Sequence, residues 1–165
     1  MINNPTFKPV EETDFFIIKE IYDYYITHTT ITFHTEPKSI SELKEFIYYQ
    51  HPLYHSYLVF LDDTVVGYCY YTHFDKREAY EITAEISVYL KPEFTGKGIG
   101  GKIINFLEND ARKHGIKIML ALVSGNNFPS IKLFQKHGYE KVGVLKRVGR
   151  KLGQILDVCI FEKEI

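Results

Sequence analysis

Apolar and polar positions follow two different periods along the chain, and the switches between them mark its elements. Phe7 to Val10 reads as a short strand, closed by Glu11-Glu12-Thr13-Asp14. Phe15, Ile18, Ile21, Tyr22, Tyr25 and Ile26 then recur at helical spacing, with Thr13 or Asp14 placed as cap. Ser39 opens a second helix, with Glu42 three residues on completing a capping box, and Leu43, Phe46 and Ile47 continue it. Ser56–Leu61 and Val65–Thr72 form a hairpin around Asp62-Asp63-Thr64. Arg77 to Tyr80 lead into a strand over Ile82–Leu90, where Ile86, Val88 and Leu90 alternate with Ser87 and Tyr89. After Pro92 and a glycine-dense turn, Ile99, Ile103, Ile104, Phe106 and Leu107 return to helical spacing as far as about His114. A strand over Lys117–Val123, a short helix over Pro129–His137, and strands near Tyr139–Gly149 and Gln154–Glu162 complete the chain. The order is β-α-α-β-β-β-α-β-α-β-β, which by pattern alone means an α/β or α+β chain with helices on a mixed sheet.

Composition narrows the function classes. At 165 residues the chain is expected to be a single domain over 1–165, burying about 70% of its unfolded surface. It is 45% hydrophobic and 25% charged, as ordinary globular chains are. A net charge of −1 and the lack of a lysine-arginine block argue against a nucleic-acid surface. No run of 18 apolar residues and no signal peptide is present, so no membrane partner and a cytoplasmic location are expected. Cys69 and Cys159 sit in apolar strand-like runs without metal-ligand spacing; they read as buried thiols, and no metal is expected. Thirteen Tyr and twelve Phe imply a tyrosine-lined pocket, an interface, or aromatic core packing.

The chemistry concentrates between Ser87 and Asn105. Gly96, Gly98, Gly100 and Gly101 stand between a strand and a helix, where bare backbone and the positive end of the helix dipole make an anion site. Gly96, Gly98 and Gly101 satisfy the dinucleotide pattern G-x-G-x-x-G, but Ala111 to Tyr139 contains no acidic residue to hold a ribose. Gly96, Gly101 and Lys102 match G-x-x-x-x-G-K, but Ile103 stands where Ser or Thr must bind magnesium, and Ile118–Leu122 offers no carboxylate. A third pattern remains. Thr95-x-x-Gly98-x-Gly100 resembles the acetyl-CoA loop Gln/Arg-x-x-Gly-x-Gly/Ala of the GCN5-related N-acetyltransferases (GNAT), with Thr in place of the long polar side chain.

Four further segments resemble the phosphinothricin and methionine sulfone or sulfoximine acetyltransferase group of that superfamily. They are Thr30-x-x-Phe33-x-Thr35-Glu36-Pro37; Arg77-x-x-Tyr80-x-x-Thr83-Ala84-Glu85; Asn127-x-x-Ser130-Ile131 with Gly138-Tyr139 beyond it; and Val148-Gly149-x-Lys151-x-Gly153-x-x-x-Asp157-Val158, with Ile155 in place of the group's Trp. The resemblance implies a mixed, mostly antiparallel sheet splayed at its centre, with helices on both faces and a wedge between the fourth and fifth strands. It implies acetyl-CoA as co-substrate, a small amino-acid-like amine as acceptor, and a homodimer.

Direct attack by a neutral amine on the thioester requires a group that takes the amine proton. The resemblance gives that role to Glu85, whose alternative is a salt-bridged edge charge. The carbonyl oxygen needs a donor, and a main-chain N–H of Tyr89 or Leu90 would serve. Contacts to acetyl-CoA are expected from Val88, Tyr89, Leu90, Thr95, Gly96, Lys97, Gly98, Ile99, Gly100, Gly101, Asn127, Ser130 and Phe134, and Asn127 and Ser130 read equally as helix caps. Phe134 stands where the group carries His and other acetyltransferases Tyr, so thiolate protonation falls to Tyr139, to water, or to no dedicated acid. His137 reads as a surface residue favouring the helix C-terminus. By resemblance, Phe33, Thr35, Glu36, Arg77, Tyr80 and Glu85 surround the amine; Arg77 reads alternatively as a surface charge, and His34 stands where the group commonly has Arg. Two other functions stay open: acetylation of a protein N-terminus or lysine, and a CoA-binding sensor without turnover.

Overall fold

The computed structural model describes residues 4–165. Eleven elements follow in the expected order: β1 (Thr6–Pro9), α1 (Phe15–His28), α2 (Ile40–Leu43), β2 (Ser56–Leu61), β3 (Thr64–His73), β4 (Thr83–Leu90), α3 (Ile99–Lys113), β5 (Ile118–Ser124), α4 (Phe128–Lys136), β6 (Glu140–Lys151) and β7 (Gln154–Glu164). The seven strands form one sheet in the order β1-β2-β3-β4-β5-β7-β6. Every neighbouring pair is antiparallel except β4–β5.

Strand alternation divides the core into two layers. On β3, Cys69 and Tyr71 face α3 and α4, joining Ile103, Ile104, Leu107 and Phe134. Tyr68 and Tyr70 face α1 and α2, joining Phe15, Ile18, Tyr22, Tyr25 and Leu43. The helices therefore cover both faces of the sheet, as expected.

The parallel pair is the feature that positions the site. β4 and β5 are in register only at Thr83–Ile118, Ala84–Met119 and Glu85–Leu120. Beyond that point β5 pairs with β7 alone and β4 with β3 alone, so the sheet forks immediately after Glu85.

One boundary and one capping bond differ from the sequence expectation, although Asp14 does occupy the first cap position of α1. The Ser39–Glu42 capping box forms, but helix α2 stops at Leu43: i→i+3 bonds from Glu45 to Glu42 and from Phe46 to Leu43 tighten the chain into turns. Ile47 still reaches the core. Neither Thr13 nor Asp14 caps α1 through its side chain; the Asp14 carboxylate accepts from the Glu11 N–H at 2.9 Å and pairs with Lys8 at 3.2 Å. It closes the preceding 3₁₀ turn instead.

Candidate active site

A cavity of about 560 Å³ opens in the fork. One wall is β4 from Ile86 to Leu90, the opposite wall Leu122 to Ser124 of β5, the floor the glycine loop, and the far side α4. Every residue expected to touch acetyl-CoA is in its wall except Lys97, whose ammonium lies 5.2 Å from the centre of the Phe94 ring.

Antiparallel ladders turn successive residues alternately toward and away from the partner strand. The Lys91 N–H donates to the Val66 carbonyl of β3, which sets the phase. Tyr89 therefore bonds β3, while the main chain of Val88 and Leu90 faces the gap. Of the two expected main-chain donors, only Leu90 is free to face a ligand; its carbonyl is already held by the Tyr25 hydroxyl.

The four glycines of the loop divide into two pairs. Gly96 and Gly98 have φ of +71° and +78°, and nothing lies within 4 Å of where their Cβ would be. They bend the chain and leave a cradle open to the cavity. Gly100 and Gly101 are needed for helix packing: a Cβ would come 2.9 Å from Leu133 and 2.5 Å from His137 Nε2 of the α4 segment. Both still line the cavity, so these two serve helix packing as well as the ligand space. With Gly98 as its first cap position, α3 directs its unpaired N–H groups at the cavity. This bare, dipole-directed cradle suits a pyrophosphate. Thr95 lines the same floor, but its hydroxyl donates to the Pro92 carbonyl at 2.8 Å.

On α4, Asn127 accepts from the Ser130 N–H and donates to its hydroxyl at 2.9 Å, so both readings hold: they cap the helix and they line the cavity. Phe134 closes the cavity, with Tyr139 packed against its ring at 5.0 Å. Tyr139 is not a cavity wall, and burial raises its hydroxyl pKa, so it is badly placed to protonate a thiolate. His137 stands at the C-terminal cap of α4, as expected, but it is half-buried and not a surface residue. Burial against α3 lowers its pKa, and its Nδ1 lies 3.3 Å from Asn105.

Glu85 marks the point of the fork. Alternation puts its side chain on the α1 side with Tyr89, opposite Ile86 and Val88. Burial alone pushes its carboxyl up to about 7, and among the described residues no hydrogen bond or ion pair holds it. Tyr22, Tyr70 and Tyr89 surround it, their pKa values raised first by burial and further by its charge. The salt-bridged edge reading does not describe this residue.

The loop from Thr29 to Pro37 lies over this face. Tyr22 Oη is 2.7 Å from both Thr32 Oγ1 and His34 Nδ1. Burial lowers the His34 pKa, as do Lys38 and Lys151, against a smaller opposing effect of Glu42. The Val148–Lys151 stretch shapes this loop. A Cβ at Gly149 would meet the Phe33 ring at 2.6 Å, and the buried Lys151 ammonium donates to the Thr32 carbonyl at 2.7 Å.

Among the other residues expected at the amine, Thr35 and Glu36 are exposed on this loop. Arg77 is also exposed; its guanidinium holds Asp75 through two bonds of 2.9 and 3.1 Å and lies 5.0 Å from the Tyr80 ring centre. Among the described residues no hydrogen bond or ion pair connects Arg77 to Glu85. Sequence reasoning missed Tyr22, Tyr25, Thr32 and Lys151 around the site. The signals were the shared helical face of the two tyrosines and the place of Lys151 in the Val148–Val158 motif. Cys69 and Cys159 are buried and free, and burial raises the Cys69 thiol pKa, which makes it a poor nucleophile.

Comparison with known proteins gives this fork a family. A model described as "Acetyltransferase (GNAT) domain" matches residues 7–160. The chain belongs to the GNAT acetyltransferase family. It is similar to the phosphinothricin N-acetyltransferase of Streptomyces coelicolor, 27% identical over 96% of this chain and 95% of that one. It is also similar to the L-methionine sulfoximine/L-methionine sulfone acetyltransferase of Salmonella typhimurium, 26% identical over 97% and 94%. The structure of a GNAT superfamily phosphinothricin acetyltransferase from Sinorhizobium meliloti, in complex with AcCoA, superposes with a TM-score of 0.90. It is 28% identical and covers 99% of this chain and 89% of that one. The forked sheet is thus the acetyltransferase fold expected from the sequence.

Proposed function

We propose that this acetyltransferase transfers the acetyl group of acetyl-CoA to the α-amine of a small amino-acid-like compound of the phosphinothricin or methionine sulfone and sulfoximine type. The observation that carries the reading is the unpartnered Glu85 carboxyl at the fork, pushed up to about 7 by burial. A base with a pKa near the working pH is deprotonated often enough to accept a proton and basic enough to take one from an ammonium. The pyrophosphate lies over Gly96 and Gly98, and the pantetheine arm runs along β4 against the outward main-chain groups of Val88 and Leu90. The thioester then reaches the fork, where the Leu90 N–H faces the carbonyl oxygen. The amine enters from the α1 side. It loses a proton to Glu85, directly or through water, and its nitrogen attacks the carbonyl carbon. The C–S bond breaks, and the second proton, which the nitrogen sheds as it becomes the amide, passes through water to the departing CoA thiolate, since Phe134 has none to give. The names of the relatives support the substrate class.

We further place the enzyme in the cytoplasm as a single domain and a homodimer. Two buried free thiols fit a reducing compartment. Among the described residues no helix is long and apolar enough to cross a membrane. On the edge strand β6, Val142 and Val148 are 54% and 55% exposed, an apolar strip suited to a second copy.

The test is CoA release followed with a thiol dye across methionine sulfone, methionine sulfoximine, phosphinothricin, ordinary amino acids and short peptides. Saturable turnover with the sulfone or phosphinate compounds is expected. Turnover with peptides alone would transfer the function to protein acetylation, and acetyl-CoA binding without any turnover would make the protein a sensor. Gel filtration reads the dimer.

A further inference from the structure

We propose that His55, Asp110 and His114 form a binding site for one divalent transition-metal ion of the zinc type, separate from the acetyl-transfer cavity. His55 immediately precedes β2; Asp110 and His114 lie one turn apart at the end of α3 and face the same side. One ring nitrogen from each histidine and one carboxylate oxygen lie within 4.8 Å of one another. The two imidazole centres are 4.0 Å apart. None of the three residues lines the cavity.

The arrangement around these donors is what a metal site needs. Each histidine is oriented through Nδ1: His55 lies 3.0 Å from Asp110 Oδ2, and His114 lies 2.9 Å from the Asp110 main-chain oxygen. The donors already converge: the two Nδ1 atoms lie 3.0 and 3.8 Å from Asp110 Oδ2, and in the tautomer protonated at Nε2 both Nδ1 lone pairs are free to exchange these contacts for bonds to an ion. The carboxylate is fixed in turn by Tyr57 and Tyr71, whose hydroxyls both donate to Oδ2 at 2.8 Å. Among the described residues Oδ1 accepts no hydrogen bond, so one oxygen is left to coordinate. The side chains of His55, Asp110 and His114 are 22%, 16% and 33% exposed, open enough to admit an ion and a completing water. Two imidazoles and one carboxylate favour zinc and its neighbours over magnesium or calcium, which require oxygen shells. Bound there, the ion clips the start of β2 to the end of α3.

The experiment uses the full-length, tag-free chain stripped with EDTA and titrated with ZnCl2 against a chelating dye. One equivalent per chain is expected, with Tm rising by about 5–10 °C at a hundredfold excess of free zinc over Kd. His114→Ala, which leaves the tyrosine bonds to Asp110 in place, should weaken binding at least about tenfold, and Asp110→Asn likewise. His28→Ala, at an exposed histidine elsewhere, should leave it unchanged. Absence of stoichiometric uptake, or equal affinity in His114→Ala, overturns the proposal. Neither readout depends on acetyl transfer, so the site and the proposed activity fail or stand separately.

Discussion

Glu85 and Asp110 are both half-buried carboxylates set among tyrosines, one on each face of the sheet, and they titrate in opposite directions. Burial pushes both up. At Asp110 it is outweighed by bonds from His55, Tyr57 and Tyr71, which bring the carboxyl down to about 2. At Glu85 nothing offsets it, and the value climbs to about 7. The tyrosines beside Glu85 are occupied elsewhere, Tyr22 by Thr32 and His34 for example. Burial alone therefore does not decide what a carboxylate can do; whether donors are aimed at it does. An anchored carboxylate organises structure, and an abandoned one is available for proton transfer.

The sharpest way to break this contrast is Glu85→Gln. Removing the base while keeping the shape should lower kcat/KM by about 10²–10⁴-fold at pH 7. Acetyl-CoA affinity, measured by calorimetry, should stay within about twofold, because the cradle around Gly96 and Gly98 is untouched. A variant that turns over normally would reduce Glu85 to a buried bystander.

The pH profile comes next. Glu85 must be deprotonated to act, so kcat/KM should fall about tenfold per pH unit below about 7 and level off above it. An acidic limb centred near 4.5, the ordinary value for an exposed carboxyl, would mean the fork is wet when substrate binds.

Amide replacement then separates the two carboxylates by stability. The folded pKa of Glu85 lies above its unfolded value, so its contribution is present below about 4.5 and lost as pH rises through about 7. At pH 8 the folded state carries an ion in an unfavourable place, and Glu85→Gln should raise the unfolding free energy by about 1–3 kcal/mol. Asp110→Asn removes charge from a carboxylate that three donors favour, and should lower it by about 1–3 kcal/mol. Urea denaturation at pH 8 should therefore show opposite signs for the same chemical change.

How much of this was legible beforehand follows from what each feature depends on. Helical and strand periods, the Ser39–Glu42 capping box and the glycine turn are local, and the chain displays them directly. The residues lining the cavity were legible because β4, the loop and α3 are consecutive. The fork was not legible in the residue pattern and was expected only through the family resemblance, since it depends on where β4 and β5 stop pairing, at Glu85 and Leu120, 35 positions apart. The division of the glycines was hidden for the same reason: Gly101 is explained only by His137 on another helix. Half of the Asp110 cluster, the i,i+4 pair with His114, was visible, but His55 reaches it across 55 residues. Lys151 read as part of a motif; only the packed loop shows it holding Thr32.

The smallest effects sharpen the comparison at the level of single hydroxyls. Tyr71→Phe removes one of the donors to Asp110 and should cost about 1–2 kcal/mol by urea denaturation. In an Asp110→Asn background the same change should cost less, since the acceptor charge is gone; that difference is the coupling between the two groups. Tyr22→Phe is the matched change on the other face. Its hydroxyl bonds Thr32 and His34 and not Glu85, so the midpoint of the acidic limb should stay within about half a pH unit of the parent. A larger downward shift would mean that loosening the Thr29–Pro37 loop lets water reach Glu85, and that its raised pKa depends on this loop as well as on the fork.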